Sequence, residues 1–136
     1  MPQNTAPIFP LTPRVTWGTV SSANTATDGT GTVTTVFTAQ VSGSRVDYLN
    51  CSATGSTVAS VLRVFINNGG ANSTAANNAL FTEQPLPVTT ANNAAQIGPQ
   101  ITIPINLSLP SGSRVNVALG TAVASGWHVT AVGGDY

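Results

Sequence analysis

Val58-Ala59-Ser60-Val61-Leu62-Arg63-Val64-Phe65-Ile66 reads as a β-strand, because β-branched and aromatic residues dominate it and nothing in it breaks an extended chain. Side chains of a strand point alternately to its two faces. Val58, Ser60, Leu62, Val64 and Ile66 therefore share one face, which is mostly apolar, and Ala59, Val61, Arg63 and Phe65 share the other. The second face also carries apolar groups, which predicts a central strand or one covered on both sides by partner protein. In Ile97 to Leu109 the same period places Ile101, Ile103, Ile105, Leu107 and Leu109 together. Pro99 and Pro104 lack ladder donors, so this run belongs at a sheet edge or at an interface covered by a neighbour.

Outward from these two runs the texture repeats. Val, Thr, Ile and Phe gather at Arg14 to Val20, Gly31 to Ala39, Arg45 to Ala53, Ala79 to Val88, Arg114 to Leu119 and Gly126 to Val132, with Gly, Asn and Ser between them. No segment carries a sustained helical apolar stripe. About eight strands joined by turns predict an all-β fold over residues 14–136, an antiparallel two-sheet β-sandwich with a jelly roll as its leading topology. Residues 1–13 stand apart. Pro2, Pro7, Pro10 and Pro13 exclude helix and favour an extended chain, while Ile8, Phe9 and Leu11 make it apolar. This extended Pro-rich N-terminal arm could reach on the order of 40 Å at about 3.3 Å per residue, far enough to lie across a neighbouring subunit. Ile8, Phe9, Leu11 and the adjoining Arg14 are its candidate contacts with a partner.

Charge narrows the function classes. Only 6% of the 136 residues are charged and the net charge is zero, against about 25% charged in ordinary soluble domains. Thr, Ser and Asn supply 44 residues, so neutral polar groups wet the surface, and weak colloidal repulsion favours association. The basic residues Arg14, Arg45, Arg63 and Arg114 form no run. That excludes a phosphate-neutralising stripe for nucleic acid and a polybasic membrane contact. No apolar run approaches the ~20 residues that span a bilayer, and the N-terminal residues lack a signal-peptide pattern. The expectation is a soluble product made in the cytoplasm.

Little points to catalysis. His128 is the single histidine, so no histidine cluster can hold zinc and any Ser-His-Asp arrangement would rest on this one ring. Between Trp127 and Val129 it reads as a hydrogen-bonded structural residue on the opposite face. Asp28, Asp47, Glu83 and Asp135 are scattered, with no calcium-loop pattern. Cys51 is alone, which excludes an intrachain disulfide, and reads as a small buried hydrophobe. The expectation is a non-enzymatic protein without metal or cofactor. Arg63, costly to bury alone, should pair with an acid, a backbone carbonyl or a neighbouring subunit. Residues 21–30 and 67–78, rich in Asn, Ser, Thr and Gly, read as solvated turns. Trp17 and Trp127 read as core or interface anchors; with Arg63, Ile101 and Ile103 they are the candidate subunit-interface residues.

Several stretches together resemble small virion proteins of tailed bacteriophages: Ala23-Asn24-Thr25-Ala26-Thr27-Asp28-Gly29-Thr30-Gly31-Thr32, Val36-Phe37-Thr38-Ala39, Gly43-Ser44-Arg45-Val46-Asp47, Val61-Leu62-Arg63-Val64-Phe65-Ile66 and the closing Val129-Thr130-Ala131-Val132-Gly133-Gly134-Asp135-Tyr136. The resemblance implies a β-sandwich subunit of the phage particle, foremost a homotrimeric capsid decoration (cement) protein. Its implied partners are its own copies and the major capsid protein or another virion protein, and its implied location is the virion surface after assembly in the host cytoplasm. Members of this class also serve in the neck, tail or fibre. A receptor- or glycan-binding role there would draw on Trp17, Trp127, Tyr48 and the Asn-rich loops. The Pro-rich start departs from the shorter leaders of the pattern and leaves capsid clamp and trimer strap as alternative roles for the arm.

Overall fold

Residues 9–136 are described in the structure, a computed structural model. Their strands are β1 (Thr12–Val20), β2 (Thr34–Thr38), β3 (Ser44–Ala53), β4 (Ser60–Asn67), β5 (Asn78–Leu86), β6 (Ile101–Leu109), β7 (Arg114–Leu119) and β8 (Trp127–Asp135), with one short 3-10 turn at Ala75–Asn77. Each of the eight sequence runs contains one strand, with shifted ends. β1 starts earlier than Arg14, because Leu11 N–H donates to the Asp135 carbonyl at 2.7 Å and Thr12 and Pro13 already pair with Asp135 and Gly134. The C-terminal end of the expected arm is thus sheet. Residues 1–8, Ile8 among them, lie outside the described residues.

Two antiparallel four-stranded sheets result, ordered β1-β8-β3-β6 and β2-β7-β4-β5. The pairing is nested: β1 with β8, β2 with β7, β3 with β6 and β4 with β5. β4 is central, in line with its two apolar faces. β6 is an edge, where Pro104 is tolerated because only one side of the strand is paired.

The core between the sheets follows strand parity. Leu62 and Val64 of β4 meet Val117 and Leu119 of β7 from the same side, facing Leu49 and Cys51 of β3 and Trp127, Val129 and Ala131 of β8, all fully buried. Burial pushes the Cys51 thiol up to about 12, since the thiolate would lose its solvation. Three expected interface residues belong here instead. Trp127 is fully buried, Ile103 is 4% exposed, and Ile101 packs against the same cluster. All three occupy the inward parity of β8 and β6, so Trp127 and Ile103 cannot meet a second subunit while the sandwich is folded, and the partly buried Ile101 is turned to the same core.

The outward parity of β4 and β7 holds Arg63, Phe65, Asn67, Arg114, Asn116 and Ala118. Phe65 and Ala118 are nevertheless fully buried, outside the inter-sheet cluster. Their cover is the chain's own Asn-rich loops, not a partner protein. Asn116 donates to Asn72 Oδ1 at 3.2 Å, Arg114 donates to the Gly70 carbonyl, and Arg63 donates to the Asn24 carbonyl at 3.2 Å. The loops read as solvated turns are therefore a third layer over the second sheet.

Candidate interaction surface

β1 is patterned in reverse. An edge strand of an isolated sandwich turns apolar side chains inward and polar ones to water, yet here Arg14, Thr16 and Gly18 face in while Leu11, Pro13, Val15 and Trp17 face out. The inward groups close the open side of the sandwich. Arg14 Nη1 donates to the Thr38 carbonyl at 2.8 Å and to Asp135 Oδ1 at 3.0 Å, its guanidinium lies 4.4 Å above the Phe37 ring, and Thr16 Oγ1 donates to the Val36 carbonyl. The outward groups have no cover: Leu11 is 83% exposed, Val15 55% and Trp17 69%.

Register extends this stripe across the first sheet. Val15, Val132, Tyr48 and Pro104 form one outward row, and Trp17, Thr130, Asn50 and Thr102 form the next. Toward the far end, Pro13 and Gly134 precede Arg45 and Ser108. There Phe9, Pro10, Ser42, Arg45, Ser108 and Tyr136 line a cleft of about 720 Å³. The surface is broad and mostly neutral; among the described residues its one ion pair joins Arg45 Nε to Asp47 Oδ1 at 2.8 Å.

The closing Gly-Gly-Asp-Tyr run fixes this end of the sheet. A Cβ on Gly133 would overlap the Arg45 carbonyl, at the place where β3 slips register between Val46 and Tyr48. Asp135 accepts from Arg14 and from Ser44 Oγ, and the Tyr136 and Ser108 hydroxyls are 2.7 Å apart. The Ala23 to Thr32 run is organised in the same structural way. Asn24 Nδ2 donates to the Thr30 and Thr32 carbonyls, both at 2.8 Å, while its Oδ1 accepts from Ala26 N–H at 3.0 Å. The residues that carry the resemblance are thus determinants of fold.

The acids are already engaged. Asp135 pairs with Arg14, Asp47 with Arg45 and Glu83 with Arg63, and the Thr30 hydroxyl holds the Asp28 carboxyl below its ordinary range. His128 is exposed on the outward face of β8, with no hydrogen bond to its ring among the described residues, contrary to the hydrogen-bonded role expected for it. Among the described residues no three of His, Cys, Asp and Glu cluster as metal ligands do.

Of the residues singled out from sequence, Phe9, Leu11 and Trp17 are exposed together on the first sheet and its border. Arg14 and Arg63 are held within the subunit; Arg63 meets the expectation of both an acid and a carbonyl partner, and is no free interface group. Val15 and Val132 were not singled out, and Pro13 and Pro104 were read only as breakers of regular pairing. For Pro13 and Val15 the signal is the period-two Leu11-Pro13-Val15-Trp17 stripe, which is cut in half when the arm is ended at Pro13. No protein-family model, curated protein or solved structure matches the chain.

Proposed function

We propose that this chain is a non-enzymatic structural subunit of a tailed-bacteriophage particle: a homotrimeric decoration protein that seats over junctions between major capsid subunits. The reversed patterning of β1 carries the reading, because an outward Leu11-Pro13-Val15-Trp17 stripe costs solubility unless assembly covers it. The nested strand pairing supports it as the wiring of a jelly roll, an architecture of viral capsid and lectin domains. So does the virion-protein resemblance of the stretches that organise both ends of the fold.

The mechanism is linkage. A protein that binds only the assembled shell stabilises it by an amount that grows with the logarithm of its free concentration relative to its dissociation constant, and three copies in one trimer turn modest contacts into firm attachment. Imaging of the intact particle by cryo-electron microscopy tests the proposal. Density for this chain at threefold and quasi-threefold shell positions supports it; density confined to the neck, tail or fibres overturns the cement role. A receptor- or glycan-binding role is the second reading, favoured by the exposed rings of Trp17 and Tyr48 on one face. Saturable glycan binding that is lost in Trp17→Ala would establish it.

A further inference from the structure

Asn68-Gly69 is the one Asn-Gly pair in the chain; every other asparagine precedes a residue that carries a side chain. It opens the loop that follows β4, and both of its residues are exposed to solvent. The turn itself demands the glycine. Gly69 has φ +98°, and a Cβ there would stand 3.1 Å from the Gly112 carbonyl oxygen. The surrounding bonds favour attack of the Gly69 nitrogen on the Asn68 side-chain carbonyl. Gly70 N–H donates to Asn68 Oδ1 at 2.9 Å, which polarises that carbonyl and stabilises the negative charge that develops on its oxygen. Gly69 N–H donates to Asn67 Oδ1 at 2.8 Å, whereas Asn68 Nδ2, the group that must leave, has only a long bond of 3.3 Å to Asn77 Oδ1.

We infer that Asn68-Gly69 is a site of spontaneous deamidation, and that its products loosen the loop layer over the second sheet. Hydroxide removes the Gly69 amide proton, the nitrogen bonds to Asn68 Cγ, and the bond from Cγ to Nδ2 breaks. Ammonia departs with a proton from water, which regenerates hydroxide and leaves a succinimide ring. Water then opens one or the other ring carbonyl to give aspartate or isoaspartate, so the net reaction consumes one water and releases one ammonia. Either product removes the donor from Asn77 Oδ1, and Asn77 Nδ2 is already engaged with the Ala71 carbonyl at 3.0 Å. Isoaspartate also adds a methylene to the main chain where there is no slack: a Cβ on Gly70 would already meet Asn77 Nδ2 at 2.5 Å. Asp28-Gly29 in the other covering loop could close the same ring, but it is protected. Gly29 is buried against Asn78, and the Thr30 N–H and hydroxyl hold Asp28 as a carboxylate, which resists attack. The inference needs no partner and is independent of the proposed function.

Incubation of the full chain at mildly alkaline pH, folded and in parallel unfolded in urea, tests it. Native isoelectric focusing should show the folded chain gaining a species one negative charge below its starting net charge of zero. Peptide mapping with electron-transfer fragmentation should place aspartate and isoaspartate at position 68, with Asp28 unchanged. Amide exchange at residues 71–77 should be faster in the converted chain, Asn77 N–H, now bonded to the Thr74 carbonyl at 3.0 Å, included. Position 68 intact in the folded chain after the urea sample has converted overturns the site, and unchanged exchange in the converted chain overturns the loosening. Asn68→Gln, whose longer side chain closes the ring far less readily, should lose the acidic species; its appearance at an undiminished rate overturns the assignment to Asn68.

Discussion

The two outer faces of the sandwich solve the same problem differently. On the β2-β7-β4-β5 side, Phe65 and Ala118 point away from the core and are buried under the chain's own loops, in a layer of asparagine, arginine and backbone hydrogen bonds. On the β1-β8-β3-β6 side, Val15, Trp17 and Tyr48 point away from the core and stay open, while Asn50 Oδ1 has no hydrogen-bond partner. The polar groups that cover the first of these faces come from two long connections, 21–33 and 68–77, both of which return over the same sheet. No comparable hydrogen-bonded cover lies over the other face among the described residues. The difference separates a surface that folding covers from one that folding leaves open.

The sharpest way to break this comparison is to truncate one aromatic residue on each face. Phe65→Ala should lower subunit stability by about 3–5 kcal/mol, the range for emptying a buried aromatic site, and much of the total for a domain whose stability is of order 5–15 kcal/mol. Trp17→Ala should change the stability of the isolated subunit by no more than about 0.5 kcal/mol, as exposed substitutions do. Chemical denaturation of both variants at a concentration where the subunit is monomeric decides the matter. Equal losses would mean that the first sheet's outer face is also a folding surface.

Asparagines give a smaller contrast of the same form. Asn24→Ala strands two carbonyls and one N–H that its side chain now satisfies, and should cost about 1–3 kcal/mol. Faster amide exchange should extend along residues 24–32. Asn50→Ala removes a buried oxygen that has no partner, so a neutral or slightly stabilising result is expected in the same denaturation series. If Asn50→Ala were the costlier change, the open face would contain a polar network that the hydrogen bonds do not reveal.

Parity explains how far the sequence could be read. β4 and β6 were legible because their alternation is long and their apolar residues are large. Trp127 was legible in principle too: it shares parity with Val129 and Ala131, which fixes it inward once β8 is recognised. Pairing it with Trp17 as an interface anchor treated two equal residues as equivalent when their strands give them opposite directions. The loop layer was not legible. Asn, Ser, Thr and Gly write solvated turns and hydrogen-bonded covers with the same composition, and only the return path of the chain distinguishes them. The open face was hidden for a different reason: prolines at 10 and 13 suggested an arm up to Pro13, although a proline can sit at an edge strand whose outer side needs no donor.

The smallest effect concerns the covered face under acid. Asp28 accepts from both the Thr30 hydroxyl and the Thr30 N–H, which stabilise its charged form and lower its pKa from 3.8. A carboxyl depressed in the folded state contributes to stability above its unfolded value, and that contribution disappears as pH falls through the folded value. The group is open to solvent, so the loss should be local. Amide exchange at Thr30 and its loop neighbours, corrected for its intrinsic pH dependence, should lose protection as the pH drops below 3.8, while strands β4 and β7 beneath remain protected. Asp28→Asn should remove that acid step. If protection over the entire second sheet fell in the same step, loop and sheet would unfold as one unit, and the cover would be as integral to the subunit as the core itself.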